Sequence, residues 1–402
     1  MENMRGVLSR VLIFKADSDW LGAERLPGAF AEEGYQVATL APADDLITKS
    51  DFVVKRFKYP SREKLLFLSV FWVLEKWNPD IVIPGDEYAI TILQHISEAG
   101  FSFPLSLKWK RQAHLIRKSL GNPQFWSVIR SKFEIQRIAA ELDILTPENQ
   151  NVNSIEDIFS YIGKYGYPVV LKKDTSVSGW GTYICRTHDE VIRMYEENGS
   201  IVKVNSRYPF LGKLLRGFGR INYWHVVKHF NVQRYIKGIP MTHIFSALNG
   251  EIKSQVSARV ICNKPPNGPS SVVQFVKNEQ IRQVAVKLIR KVGFTGFGCL
   301  DFMMEDDTQK IYLLEFNPRP TALCHLAKKV GINLFSAMRD SLTNRVIDEK
   351  SEPNKELTIA LYPQEIMRDP NSKYVTTCYH DVPYKDNGLM LAISGLISKS
   401  QK

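Results

Sequence analysis

Three polar side chains stand at alternate positions directly after an apolar run. Residues 311–314 are predicted to form a strand, and Glu315, Asn317 and Arg319 follow it. Alternation along a strand places Glu315 and Asn317 on one face. A carboxylate and an amide oxygen side by side are hard ligands of the kind that Mg²⁺ takes together with substrate phosphates. We expect Arg319 to meet the same phosphates from that side.

A second acid, Asp301, ends an apolar strand around residues 298–300. The acidic and polar stretch 304–310 is typical of a hairpin turn, so antiparallel pairing would bring Asp301 close to Glu315. Two carboxylates at such a place repel each other unless a cation or a proton lies between them. The sequence therefore predicts a metal site formed by Asp301, Glu315 and Asn317. In the alternative interpretation both acids merely face solvent at the ends of their strands.

Phosphate-binding features precede the acids in the chain. Lys172 follows the apolar strand 169–171, and residues 175–182 are rich in glycine and hydroxyl side chains. A loop of small residues can fold its backbone N–H groups over phosphate oxygens. The loop residues predicted to do so are Ser178, Gly179, Gly181 and Thr182. Such a loop is also common as an ordinary hairpin turn. Lys132 is a second candidate phosphate contact, although an isolated lysine is more often a solvated surface charge.

The elements that must position these residues fall into several units. At the start of the chain, short strand-like runs alternate with helical ones, which is typical of a parallel α/β fold. One such strand, residues 81–83, stops at Asp86 and Glu87. Ligands gather at the carboxyl ends of strands in open α/β sheets, but a helix-capping role for Asp86 is equally compatible. In the later segments we expect helices at 131–142, 155–164 and 279–292. Strands are predicted at 167–171 and 232–238. Beyond residue 349 the tail is predicted to mix short strands with polar turns.

Composition restricts the class of protein. The chain of 402 residues is 44% hydrophobic and 24% charged, as in globular proteins with a buried core. The net charge of +11 favours anionic partners, although a solvated basic surface explains it equally well. The basic and aromatic stretch 207–228 could contact an acidic surface or pack on its own domain. Five cysteines without a Cys-x-x-Cys pair favour reduced thiols in a cytoplasmic protein. The longest apolar run, residues 65–74, is too short for a membrane span.

In this order and at this spacing, the segments resemble the ATP-grasp superfamily. That superfamily includes the D-alanine–D-alanine ligases, biotin carboxylase and the carbamoyl phosphate synthetase large subunit. The resemblance implies mixed α/β and α+β structure, with a Rossmann-like pre-ATP-grasp domain followed by the two-subdomain ATP-grasp fold. The implied segments are a pre-ATP-grasp domain at 1–120, an ATP-grasp domain at 121–345 with subdomains at about 155–236 and 237–345, and a C-terminal extension at 346–402 that packs on the core.

The resemblance also implies a role for each candidate residue. Lys132 and Lys172 would bind the ATP phosphates, and the loop 178–182 would form the mobile glycine-rich cover. Asp301, Glu315 and Asn317 would hold two Mg²⁺ ions, for which Mn²⁺ could substitute. Arg319 matches a phosphate-orienting arginine. The hinge that binds adenine would be formed by Gln233, Arg234, Tyr235 and Ile236.

The chain departs from the superfamily at two points. The hinge commonly carries an acid that binds the ribose, but here Lys237 and Gly238 follow it, so the ribose contact stays unassigned. Some members have an arginine two residues before the first metal carboxylate, where this chain has Cys299. Arg319 or Arg259 could instead steady the acyl intermediate. Segments around residues 258–270 and 361–370 resemble less characterised relatives of the carbamoyl phosphate synthetase subunit, and mycosporine-glycine synthases.

The resemblance implies an ATP-dependent ligase. Such an enzyme phosphorylates a small carboxylic or vinylogous acid, joins it to an amine or amino acid, and releases ADP and phosphate. A carboxylase or kinase-like enzyme on the same fold and a non-catalytic nucleotide-binding protein are the alternatives. We expect small-molecule partners, a cytoplasmic location and compatibility with a homodimer, but no nucleic-acid partner, since no recognised motif for one is present. The identities of the acid and amine stay open.

Overall fold

The computed structural model describes residues 9–17, 20–59, 65–102, 107–173, 181–199, 230–263, 268–345 and 352–400. The predicted loop residues Ser178 and Gly179 and the basic stretch 207–228 lie outside these ranges. Within them, no helix combines the length and the apolar character that crossing a membrane requires. The α/β and α+β structure expected from the resemblance is confirmed: three separate sheets are flanked by helices.

The first sheet is fully parallel and built from the N-terminal segment. Its strands are β1 (Arg10–Phe14), β2 (Gln36–Ala41), β3 (Lys55–Lys58) and β4 (Ile81–Pro84). Helices α1 (Leu26–Glu32), α2 (Leu66–Trp77), α3 (Glu87–Ser102) and α4 (Leu107–Leu120) accompany it. The strand order is β3-β2-β1-β4, so the chain reverses its direction of travel across the sheet between β1 and β4. Ligands bind at the carboxyl ends of the strands at such a switch point.

The second sheet is small and antiparallel. Two helices, α5 (Trp126–Arg130) and α6 (Lys132–Ala140), lead into it. It contains β5 (Asn149–Val152), β6 (Val169–Lys173), β7 (Thr182–Cys185) and β8 (Phe230–Arg234), with α7 (Ile155–Tyr165) and α8 (His188–Gly199). The strand order is β5-β8-β6-β7. One face of β6 and β8 packs with α7 and α8 in a core that includes Val169, Leu171 and Val232, so the alternate residues of these strands face the other way.

The third sheet has seven strands. These are β9 (Gly238–Leu248), β10 (Glu251–Asn263), β11 (Ser270–Val276), β12 (Gly296–Glu305), β13 (Ile311–Asn317), β14 (Leu357–Ala360) and β15 (Tyr379–His380). Their order is β13-β12-β9-β10-β11-β14-β15, and only β14 and β15 pair in parallel. Helices α9 (Glu279–Val292) and α10 (Leu334–Leu342) pack on its two faces, α9 with α6 in one core and α10 with the first sheet in the other.

Two predicted elements need correction. The strand predicted at 232–238 ends at Arg234, and Gly238 already begins the next strand, so residues 235–237 form a connection between two sheets. The tail, predicted as short strands and turns, adds β14 and β15 to the large sheet but is otherwise helical. Its helices are α11 (Gln364–Arg368), α12 (Lys373–Thr377) and α13 (Asn387–Ser400).

The first and third sheets share one hydrophobic core. Phe30 of α1 packs edge-on against Phe297 of β12 and Phe335 of α10, with ring centroids 5.5 Å and 4.8 Å away. Buried residues of β1 and β2, such as Val11 and Val37, belong to the same cluster. The small second sheet has its own core, so a cleft remains between it and the large sheet.

Candidate active site

The two acids predicted from the sequence lie on neighbouring strands and face each other. Asp301 on β12 pairs in register with Glu315 on β13, and Asn317 pairs with Cys299. The amide nitrogen of Asn317 donates to Asp301 Oδ2 at 2.8 Å and lies 3.2 Å from Glu315 Oε1. No group of three or more histidine, cysteine or acidic side chains suited to a metal occurs in the described part of the chain, so a cation here would depend on this trio.

Two lysines lie beside the acids, as the sequence predicts. Lys132 Nζ is 3.3 Å from Glu315 Oε2 and is held at the first turn of α6, which Ser131 caps by accepting from the Glu134 N–H at 3.1 Å. Lys172 on β6 is only 5% exposed. A buried cation of this kind requires a nearby anion to offset the cost of desolvation. Both lysines therefore depend on the acids, and on any anion that enters the cleft.

The charges in this cluster are strongly coupled. Burial, followed by the nearby charge of Glu315, raises the pKa of Asp301. Burial also acts to raise the pKa of Glu315, but the nearby charges of Lys132 and Lys172 outweigh it and lower that pKa. Burial and the charge of Lys132 lower the pKa of Lys172 to about 8. The cluster therefore gains from a further anion beside the lysines and from a cation between the acids.

A cavity of about 380 Å³ lies between the small sheet and the large one. A volume of this size is within the range of small-molecule sites. Lys172, Gln233 and Ile184 face it from the small sheet, while Thr242 and Met303 face it from the large sheet. Among the residues predicted from the sequence, those that line it are Lys172, Thr182, Gln233, Tyr235, Ile236, Asp301, Glu315, Asn317 and Arg319.

Arg234 was predicted to join the adenine-binding hinge, but its side chain points elsewhere. It lies 2.6 Å from Glu148 and 3.3 Å from Glu305, and its guanidinium is 5.3 Å from the ring centroid of Tyr312. Gln233, by contrast, lines the cavity. Adjacent residues of a strand point to opposite faces, which explains why one turns toward the cavity and the other away. Arg234 therefore contributes side-chain ion pairs that tie the hinge to the β12–β13 hairpin.

Arg259, predicted to steady an acyl intermediate, does not line the cavity. Its register partner Met241 belongs to the core beneath α9, whereas the adjacent Ala258 belongs to the core shared with the first sheet, so Arg259 lies on the α9 side of the large sheet. Its Nε is buried and finds no hydrogen-bond partner among the described residues. The position of Arg259 does not support the predicted role.

The start of the β6–β7 loop lies outside the described residues, but its end is visible. Gly181 has a φ of +84°, a conformation that favours glycine, and its carbonyl accepts a hydrogen bond from the Lys173 N–H at 2.8 Å. Thr182 then begins β7 directly opposite Lys172. The loop therefore returns to the sheet beside the lysine.

Arg319 occupies the edge of the cavity, next to the switch point of the first sheet. Its guanidinium lies 4.0 Å from the ring centroid of Trp20, and its Nε is 3.2 Å from Glu87 Oε1. Asp86 accepts from the backbone N–H groups of Ala16 and Ala89 at 2.6 Å and 2.8 Å. The helix-capping interpretation of Asp86 is thus confirmed, and this acid additionally fixes the loop after β1.

Several residues that line or face the cleft were missed by the sequence analysis, among them Asn231, Trp20 and Gln364. Asn231 pairs in register with Lys172, and alternation puts it on the same face as Gln233. The pattern Phe-Asn-Val-Gln of β8 could have identified it. Trp20 and Gln364 also line the cavity. They come from a loop and a helix start far apart in the chain, so no local pattern could have revealed them.

Comparisons with known proteins agree with this architecture. Residues 218–323 match the family model described as ATP-grasp domain, and residues 130–230 match the carbamoyl-phosphate synthase L chain, ATP binding domain. A biotin carboxylase from Campylobacter jejuni in a β,γ-ATP complex superposes with a TM-score of 0.64 at 14% identity, covering 88% of this chain and 75% of that one.

Two further solved structures have the same fold at low sequence identity. N5-carboxyaminoimidazole synthetase from Staphylococcus aureus, complexed with ADP, has a TM-score of 0.60 at 14% identity. The match covers 88% of this chain and 82% of that one. An L-amino acid ligase from Bacillus licheniformis has a TM-score of 0.56 at 16% identity, and the match covers 87% of this chain and 79% of that one. The resemblance read from the sequence is thus confirmed: residues 130–323 match ATP-grasp and carbamoyl-phosphate synthase ATP-binding family models, and the fold is that of the superposed biotin carboxylase and synthetase.

Proposed function

We propose that the protein is an ATP- and Mg²⁺-dependent ligase that joins a small carboxylic acid to an amine. The observation that carries this proposal is the convergence of two facing acids, an asparagine and the buried Lys172 on one cavity, with Lys132 Nζ 3.3 Å from Glu315 Oε2. Two buried lysines this close together are unfavourable without a further anion, and the charge of a bound triphosphate would match them. The superposed biotin carboxylase and synthetase complexes, which contain ATP or ADP, support the same ligand class.

The donor set fits a hard divalent cation. Asp301 and Glu315 supply carboxylate oxygens from adjacent strands, and Asn317 supplies an amide whose oxygen can face the cation after a half-turn of the amide group. Such a cation, when bound, neutralises phosphate charge during phosphoryl transfer. We therefore assign Asp301, Glu315 and Asn317 as its ligands.

The remaining residues would bind and orient the nucleotide. Lys132 and Lys172 would pair with its phosphates, and the phosphate charge would favour the protonated form of Lys172, whose pKa burial lowers. Gln233, Tyr235 and Ile236 would contact the adenine at the connection between the sheets. The loop before Thr182 would cover the phosphates and keep water out.

The proposed reaction has two steps. A carboxylate oxygen of the acid takes the γ-phosphoryl group, ADP leaves, and an acyl phosphate is formed. The amine nitrogen then attacks the carbonyl carbon, phosphate departs with the bonding electrons, and the nitrogen loses a proton. Positioning and charge neutralisation supply most of the catalysis in the first step.

The test is an ADP-release screen in which amino acids are paired with small carboxylic acids, followed by mass analysis of the product. We expect ADP formation that requires both partners and Mg²⁺, with a product that has the mass of acid plus amine less one water. A bicarbonate-dependent gain of a carboxyl group would instead identify a carboxylase, as in several superposed structures.

The variant Glu315→Gln should abolish ATP turnover, because it removes one carboxylate charge from the proposed metal site and from the Lys132 pair. Circular dichroism should remain that of the parent protein. The matched control is Glu356→Gln, which alters an exposed acid before β14 and should leave turnover unchanged. Full activity in Glu315→Gln would rule out the proposed site.

A further inference from the structure

A second group of cavity-lining residues lies outside the segments that match the ATP-grasp families. Trp20 comes from the loop after β1, and Gln364 begins α11 in the C-terminal segment. Both face the same cavity as Arg319, which follows the proposed metal ligands by two residues. We call Trp20, Arg319 and Gln364 the acid compartment.

The hydrogen-bonding atoms of this compartment are incompletely satisfied. The Trp20 indole nitrogen and the Gln364 side-chain oxygen are both buried, and neither has a hydrogen-bond partner within the described ranges. A buried polar atom without a partner is unfavourable and uncommon in folded proteins. One of these atoms is a donor and the other an acceptor, so a ligand here needs both an acceptor and a donor.

The compartment also carries positive charge. Arg319 is only 3% exposed and stacks on the Trp20 ring. Its acidic partner Glu87 is shared with Arg130, whose Nε is 3.8 Å from the other carboxylate oxygen of Glu87. One carboxylate does not neutralise two guanidinium groups. A bound anion would therefore be favoured beside Arg319.

Two sets of contacts anchor the loop that carries Trp20. Asp86 fixes the loop after β1 through the backbone N–H groups of Ala16 and Asp17, at 2.6 Å and 2.9 Å. Arg25, which ends this loop, donates to the Asp381 carbonyl in the C-terminal segment at 2.8 Å. The compartment thus lies at the switch point of the first sheet, where open α/β sheets bind their ligands.

We propose that this compartment binds the acid substrate through its carboxylate and through an N–H or O–H group next to that carboxylate, which selects amino and hydroxy acids over plain carboxylic acids. The carboxylate accepts from Arg319 and the Trp20 N–H, and the neighbouring donor bonds to Gln364 Oε1. We assign all three residues to one small molecule of this class because they line the same cavity. This inference rests on the proposed ligase function.

The test uses the full-length protein with ATP, Mg²⁺ and hydroxylamine, which converts an acyl phosphate to a hydroxamate and releases phosphate. Amino acids are compared with their α-hydroxy and deamino analogues, for example L-alanine, L-lactate and propionate. We expect the donor-bearing acids to give a kcat/KM about tenfold or more above that of the matched plain acids, because a plain acid leaves Gln364 unpaired.

Two variants locate the effect. Gln364→Leu should reduce the discrimination to about threefold or less and raise the KM for the donor-bearing acid, with the KM for ATP unchanged. Trp20→Phe keeps the ring stacked on Arg319 but removes the N–H, and should raise the KM for all acids alike. The control variants Gln150→Leu and Trp72→Phe alter exposed side chains on β5 and α2 and should change neither the discrimination nor the KM values.

The outcomes separate this inference from the proposed function. Three outcomes would overturn the proposed acid binding. They are equal rates with donor-bearing and plain acids, an unchanged preference in Gln364→Leu, and an effect of that variant on the amine alone. ATP hydrolysis that responds to no acid would overturn it as well. A protein that turns over no ATP under any of these conditions would refute the ligase function itself.

Discussion

At the scale of single residues, two amides of β8 have buried atoms without hydrogen-bond partners among the residues that the structure describes, on the strand face that carries Gln233 to the cavity. Asn231 on β8 is fully buried, and neither atom of its amide has a hydrogen-bond partner in the described part of the chain. The Oε1 of Gln233, two residues on, is in the same state. Each such group costs about 1–3 kcal/mol. Gln233 lines the cavity, and Asn231 lies on the same face of β8. We therefore attribute this cost to ligand binding.

The variant Asn231→Leu tests this attribution. Leucine has nearly the same shape but no polar atoms, so the free energy of unfolding of the ligand-free protein should rise by about 1 kcal/mol. The KM for ATP should rise about tenfold, because the ligand loses its hydrogen bonds. Chemical denaturation and steady-state kinetics measure the two effects. Asn371→Leu on an exposed turn is the control, and a stabilised Asn231→Leu protein with an unchanged KM would assign Asn231 to packing alone.

At the scale of elements, alternation along strands explains which site residues could be predicted. It correctly brings Glu315 and Asn317 to one face and sets Asp301 opposite them. The same rule, had it been applied to β8, would have turned Arg234 away and included Asn231. The roles of Arg234 and Arg259 were taken from the resemblance, which does not specify the direction of their side chains.

Elements assembled from distant segments could not be predicted in this way. Gln364 reaches the cavity because β14 adds to the edge of β11, a pairing that joins residues almost ninety positions apart. The helices of the tail are short, at five residues for α11 and α12, so their apolar period is too brief to recognise. Tertiary contacts, rather than local propensity, determine them.

The connection between the two sheets of the cleft depends on a glycine. Gly238 begins β9 opposite Glu305, and a Cβ there would lie 2.0 Å from the Met304 carbonyl oxygen. This contact is with backbone, so relief requires the strands to separate. The hinge residues Tyr235 and Ile236 immediately precede this point.

We therefore expect Gly238→Ala to lower the free energy of unfolding by at least about 1–3 kcal/mol, as overpacking does, and to raise the KM for ATP. The matched control is Gly163→Ala in α7, where a Cβ meets nothing within 4 Å. Alanine favours a helix, so this change should stabilise the protein by about 0.5–1 kcal/mol. Thermal unfolding and ATP kinetics of both variants check the pair, and equal behaviour would disprove the role of the close approach.

At the scale of the whole molecule, the protein consists of two packed bodies around the cleft. The first and third sheets share a core in which Phe30 contacts Tyr35, Phe297 and Phe335, with centroid distances of 5.0, 5.5 and 4.8 Å. The second sheet has a core of its own, which includes Ile158. The proposed phosphate lysine Lys172 lies on one body and the acids on the other, so nucleotide binding would join them.

Replacing one large buried side chain in each core by alanine should reveal that the two cores are separate. Phe30→Ala should cost about 3–5 kcal/mol and Ile158→Ala about 2–5 kcal/mol. Amide hydrogen exchange should then accelerate in both β1 and β12 for Phe30→Ala, because these strands share the damaged core, and in β6 and β8 for Ile158→Ala. Adding ATP and Mg²⁺ should restore protection to β6 and β8 in the second variant, since a ligand that binds the folded but not the unfolded protein stabilises the fold. Unchanged exchange in β12 of Phe30→Ala would show that the first and third sheets are stabilised independently, and would contradict the shared core.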